Sequence, residues 1–226
     1  MEEHGVLTEL LERLAAERGG VLGVEPKLVI DPDDSWTPVS ELVREPYTLL
    51  GELVDVTATR WNAPRHVGAA LLWKTFSYWH TMPLALGWAL DGRIPVMRLA
   101  DTWFKQSEAG VTIAATDVTW ASGAKAIGEV LAEAQAPLIK VLSGMAKVGE
   151  RTLWGSTAEA FAHPLTQIMP GDYMALLQQV GKPVDGLIEP ADDAYFRRTC
   201  CLWVTLPDAE ACGSCCVLRP RRSPAP

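Results

Sequence analysis

The chain has 226 residues and a mass of 24.6 kDa, enough to bury a sizeable core in one large domain or two small ones. Its 48% hydrophobic and 21% charged residues exclude wholesale disorder. A net charge of −8 argues against nucleic acid as a partner, because phosphate binding needs a basic surface.

The first segment, MEEHGVLTELLERLAAERGG, has neither a basic start nor an unbroken apolar stretch, so it does not read as a signal peptide. Leu7, Leu10, Leu11 and Leu14 repeat at helical spacing, and Gly19-Gly20 supplies a stop. Residues 25–39 are rich in Pro and Asp and read as a connection with a short strand. Their DPDD lacks the spacing, central Gly and closing Glu of a calcium loop, and turn chemistry accounts for it.

A helical pattern runs with breaks from about residue 40 to about residue 90. Within it, VGAALLWKTFSYWHTMPLALGWAL (67–90) is the most membrane-like stretch, but Lys74, His80 and Pro83 interrupt it. A spanning helix needs about 20 predominantly apolar residues, so a buried helix or helix pair is the expectation.

Residues 93–120 change character. Ile94, Val96, Val111, Ile113 and Val118 suggest β-structure, and the Gln-Ser-Glu-Ala-Gly sequence suggests a hairpin turn. Helical patterns return over 122–182, punctuated at Pro137, Gly155, Pro164 and Pro170, with Pro137 expected to end or kink AIGEVLAEAQA. The expected fold class is α+β: predominantly α-helical, with a small antiparallel β insertion and a C-terminal cysteine-rich segment. This divides the chain into a helix-rich body (1–195), a cysteine segment (196–218) and a flexible tail (219–226).

Few other residues form chemical constellations. The nine tryptophans read as packing residues, and the four histidines show no metal-ligand or catalytic spacing. No GxGxxG or GxxxxGK[ST] occurs.

All five cysteines, Cys200, Cys201, Cys212, Cys215 and Cys216, follow a body of 199 residues that has none. A disulfide framework fits poorly: the count is odd, and a bridge between adjacent cysteines is strained. A thioredoxin-like CxxC would not need the second cysteine pair, and a c-type haem site would need His where Cys216 stands. A four-cysteine zinc site normally draws on two knuckles with spaced thiols, and only CGSC has that form. A 2Fe–2S cluster also takes four thiolates and is larger, so adjacent cysteines suit it better than one small tetrahedral ion. Spacing alone favours the cluster and leaves zinc open. Between the pairs, LWVTL reads as a strand and Pro207-Asp208 as a turn, a short hairpin that would return Cys212 and Cys215 to Cys200 and Cys201. Gly213 is expected to bend the backbone so that amide N–H groups face sulfur.

The segment FRRTCCLW…CGSC, with its CC-x10-CxxC spacing, resembles the terminal signature of FhuF-type ferric-siderophore reductases, which hold a 2Fe–2S centre in such a motif. ERTLWGSTAEAF (150–161) is similar to an LWGN-like stretch of the same family, with Ser156 in place of Asn. The resemblance implies cluster ligation by Cys200, Cys201, Cys212 and Cys215, with Cys216 as a departure that could replace Cys215.

The same resemblance implies a siderophore-binding body and one-electron reduction of chelated Fe(III), with a hydroxamate chelate as the expected substrate. A ferredoxin or an NAD(P)H-dependent reductase would donate electrons. Arg197 and Arg198 are candidates for tuning the cluster, whose formal charge they would offset; a solvated pair or an ordinary salt bridge is the plainer reading. The expected location is cytoplasmic, without a transmembrane segment and with peripheral contact to the inner membrane face left open. The competing classes are a cluster-based carrier or sensor without a siderophore substrate, and a zinc-stabilised interaction module.

Overall fold

The computed structural model describes residues 5–107, 110–191 and 194–218. The expected tail at 219–226 and Glu108-Ala109 of the expected turn lie outside the described residues.

The leucine repeat forms α1 (Gly5–Glu17), and all four leucines are buried. Gly19 and Gly20 adopt φ of +68° and +84°, which ends the helix where the glycine pair predicts. The α1 face packs on Leu22, Val24, Met82 and Leu86, forming a satellite core beside the main one. The DPDD stretch is a turn in which the Asp33 side chain accepts from the Ser35 N–H at 2.8 Å.

The connection holds β1 (Val24–Val29) and β2 (Thr37–Pro38), followed by a 3₁₀ turn at Val39–Val43. Next come α2 (Thr48–Arg60) and α3 (Arg65–Asp91), the latter a single helix of 27 residues. It is buried on nearly every side between Val67 and Gly87 because other helices and strands surround it. That explains its membrane-like composition: a helix apolar all round belongs in a core or a bilayer. Among the described residues, no helix is long and apolar enough to cross a membrane.

The β region contains β3 (Arg93–Val96), β4 (Thr102–Ser107), β5 (Gly110–Ala115) and β6 (Thr119–Ser122). β4 and β5 form the expected hairpin, with Phe104 opposite Ile113, and β3 pairs antiparallel with β6. The larger sheet has the order β1-β5-β4-β2. It is not wholly antiparallel, since β1 runs parallel to β5. The intervening α2 and α3 provide the long crossover that a parallel pair needs.

Helical structure then resumes with α4 (Ala124–Val130), a π turn at Leu131–Gln135 and α5 (Ala136–Ala146). Pro137 neither ends nor interrupts this run. It occupies the first turn of α5, where its missing N–H forfeits little. The wide turn projects Gln135 into the core, where its Nε2 lies 3.1 Å from His80 Nδ1 and 2.9 Å from Thr81 Oγ1. Its Oε1 accepts from Thr157 Oγ1 at 2.9 Å. Burial pushes His80 down to about 4.

α6 (Glu150–Ala162) contains Gly155 in its interior, so that glycine does not punctuate the chain. Pro164 opens the short α7 (Pro164–Gln167), and Asp172 caps α8 (Tyr173–Val180) by accepting from the Ala175 N–H at 2.8 Å. A second hairpin, β7 (Ile188–Ala191) with β8 (Ala194–Arg197), leads into the cysteines. The fold is α+β and predominantly helical, as the sequence predicts.

Candidate functional site: a cysteine segment docked beside a large cleft

The two sequence fragments singled out above pack directly on each other. Gly155, Ser156 and Glu159 share one region of α6, and β8 delivers Arg197 to it. Arg197 Nη1 meets Glu159 Oε2 at 2.7 Å, and Nη2 donates to Ser156 Oγ at 3.0 Å. An ideal Cβ on Gly155 would lie 1.7 Å from Thr199 Oγ1, so only glycine allows the chain before Cys200 to approach the helix this closely.

Glu159 is the hub. Its carboxylate also accepts from Ser214 Oγ and lies 3.7 Å from Lys74 Nζ. Burial acts to raise this carboxyl, but Arg197, Lys74 and the Ser214 hydroxyl outweigh it and hold it below the ordinary carboxylate range. The Arg197 N–H donates to the Ser214 carbonyl at 2.9 Å. The CGSC turn is therefore tied to both α6 and β8.

Successive residues on a strand face opposite ways, which separates the two arginines. Arg197 is 1% exposed and committed to its buried pair. Arg198 points outward and meets Glu189 at 3.3 Å, the ordinary surface pairing.

The segment after Cys201 is not a strand. Leu202 takes a left-handed φ of +67°, and Trp203–Thr205 form a 3₁₀ turn. Instead of an extended hairpin, a compact loop returns the chain, because Leu206 packs on Val67 and Leu71 of α3. Trp203 stacks edge-on against Trp61 with ring centres 5.0 Å apart, and its indole donates to the Glu210 carbonyl at 3.1 Å. The bend that aims amides at sulfur falls at Leu202, whose N–H lies 3.3 Å from Cys200 Sγ. The Trp203 N–H serves Cys201 in the same way. Gly213, expected to make this bend, stands in open space.

The loop does bring the cysteines together, in two groups. Cys201 hydrogen-bonds Cys212, which pulls the Cys212 thiol down to about 6 against the effect of burial. Cys216 lies against both Cys200 and Cys215; burial first, then those thiols, push it up to about 11. Cys201 and Cys215 are buried, while Cys200, Cys212 and Cys216 are partly exposed. Lys74 Nζ lies 4.0 Å from Cys201 Sγ. Among the described residues, no set of three or more His, Cys, Asp or Glu side chains forms a finished metal cage. In donor type, thiolates with N–H groups on sulfur and cations nearby fit an iron–sulfur centre.

Beside these residues opens a cleft of about 1530 Å³. Cys212, Gly213 and Ser214 form part of its wall, and Trp61, Trp79 and Trp203 line it further. Lys74 and Tyr78 reach it from α3, Glu159 from α6 and His163 from the position just after α6. Tyr78 Oη and His163 Nδ1 are 3.0 Å apart, and burial holds His163 below its ordinary value. Sequence reasoning missed Lys74, Glu159 and Ser214. Their only signal was membership of the α6 fragment, the interrupted helix and the CGSC turn.

Comparison with protein-family models and with curated proteins finds no match for this chain.

Proposed function

We propose that the protein is a ferric-siderophore reductase whose cleft receives the chelate and whose cysteine segment holds a 2Fe–2S cluster. The supporting observation is the cleft of about 1530 Å³, whose wall includes Cys212, Gly213 and Ser214. Ligand pockets typically span about 300–1,000 Å³, so a bulky chelate has room here. A carrier or a zinc-stabilised module has no need of such a cleft.

Cys200, Cys201, Cys212 and Cys215 would hold the cluster. When bound, the cluster supplies one electron for Fe(III), whose reduction weakens its hold on hard oxygen donors. The chain's own residues do the rest. The Glu159 hub fixes the CGSC turn at the cleft wall, and the tryptophans supply broad apolar contact area. The Leu202 and Trp203 amides and Lys74 offset negative charge on sulfur. A hydroxamate chelate, a ferredoxin or NAD(P)H-dependent donor and a cytoplasmic location complete the proposal.

The test is anaerobic incubation of the purified protein, reduced with dithionite and freed of excess reductant, with a ferric tris-hydroxamate and a ferrous-specific chelator. Iron release in proportion to protein supports the reading. A fully reduced, iron-loaded protein that releases none would favour the carrier reading, and a zinc-loaded protein the interaction module.

A further inference from the structure

The charge of the cleft runs opposite to that of the chain. The protein carries −8 overall, yet Arg18, Arg60 and Lys74 all line the cleft. Among the described lining residues Glu159 is the one carboxylate, and Arg197, Lys74 and Ser214 already engage it. His163 adds no charge at neutral pH, because burial keeps it below its ordinary value. The cations are spread along the cleft. Lys74 stands at the cysteine end, 4.0 Å from Cys201 Sγ. Arg60 lies over the Trp61 ring at 5.8 Å, and Arg18 over the Trp79 ring at 5.9 Å. Each arginine thereby backs an aromatic face with positive charge.

We infer that the cleft selects ferric chelates by charge, taking those that bear a peripheral carboxylate over those that bear a peripheral ammonium, with Lys74 as a principal contact. A tris-hydroxamate around Fe(III) is itself neutral, so the group on its periphery decides the sign the cleft meets. A carboxylate finds Arg18, Arg60 and Lys74 there, the last shared with Glu159; an ammonium finds them repulsive and would have to compete with Arg197 and Lys74 for Glu159. This selectivity rests on the siderophore reading and narrows it to a substrate class.

The test uses redox-inert gallium(III), so binding is read without turnover. The full-length protein is titrated calorimetrically with the gallium complex of desferrioxamine B, which ends in an ammonium, and with that of its N-succinyl derivative, which ends in a carboxylate. The carboxylate complex is expected to bind at least about fivefold more tightly, with the ratio shrinking as salt is raised. Lys74→Gln should reduce the ratio towards one, and Lys74→Arg should retain it. Arg60→Gln, on a different helix, should reduce it independently and guards against a folding defect at Lys74. Equal affinities, or a preference that survives both glutamine variants, would overturn the charge selectivity while leaving the siderophore reading intact. Failure of both complexes to bind would overturn the selectivity and the siderophore reading together.

Discussion

Arg197 and Glu159 form a buried ion pair at 2.7 Å that joins the strand entering the cysteine segment to helix α6. Removing one partner leaves the other charge buried without compensation. Arg197→Ala should therefore destabilise the protein by about 3–5 kcal/mol in chemical denaturation. The double variant Arg197→Met with Glu159→Leu should recover much of that loss. Additive losses would show that the pair is not coupled.

Gly155 and Thr199 provide a second test of the same junction. Gly155→Ala must displace Thr199, because the new Cβ would fall 1.7 Å from its Oγ1. Overpacking of this kind costs about 1–3 kcal/mol. Iron retention should fall as well, since Thr199 directly precedes Cys200. Adding Thr199→Gly to Gly155→Ala should restore part of both. Wild-type stability in the single variant would mean that the contact relaxes freely.

Much of this architecture was legible in advance. The leucine repeat of α1, the glycine stop and the β4–β5 hairpin follow from local periodicity and turn chemistry. The path of the cysteine loop does not. Residues Leu202 to Leu206 alternate like a strand, but burying Leu206 on α3 and stacking Trp203 on Trp61 favour a compact 3₁₀ turn. Likewise Pro137 reads as a helix breaker, and the π turn before it converts it into an ordinary first-turn residue. Glu159 had no individual signal, because its role depends on Lys74, Arg197 and Ser214 arriving from three distant segments.

His80 gives the fold a pH dependence with a definite sign. Its folded value is depressed from 6.5 to about 4, so the unfolded state binds more protons between those limits. Its contribution to stability is complete above pH 6.5 and declines as the pH falls towards 4. The steepest loss should approach about 1.4 kcal/mol per pH unit. Chemical denaturation at pH 7 and pH 5 should show a smaller difference in His80→Gln than in the wild type. An unchanged difference would exonerate His80.

Cys215 is buried and partly exposed Cys216 lies beside it. Cys215→Ser should therefore lower the iron content of the purified protein, whereas Cys216→Ser should leave it near wild type. The reverse pattern would make Cys216 the fourth ligand.

The most direct measurement of the central claim is anaerobic visible absorption and electron paramagnetic resonance, taken before and after adding a ferric tris-hydroxamate. The account predicts a coloured protein with about two irons per chain. After reduction its paramagnetic signal should disappear when the chelate is added, as ferrous iron is released. A colourless, zinc-loaded protein, or a reduced signal indifferent to the chelate, would contradict it.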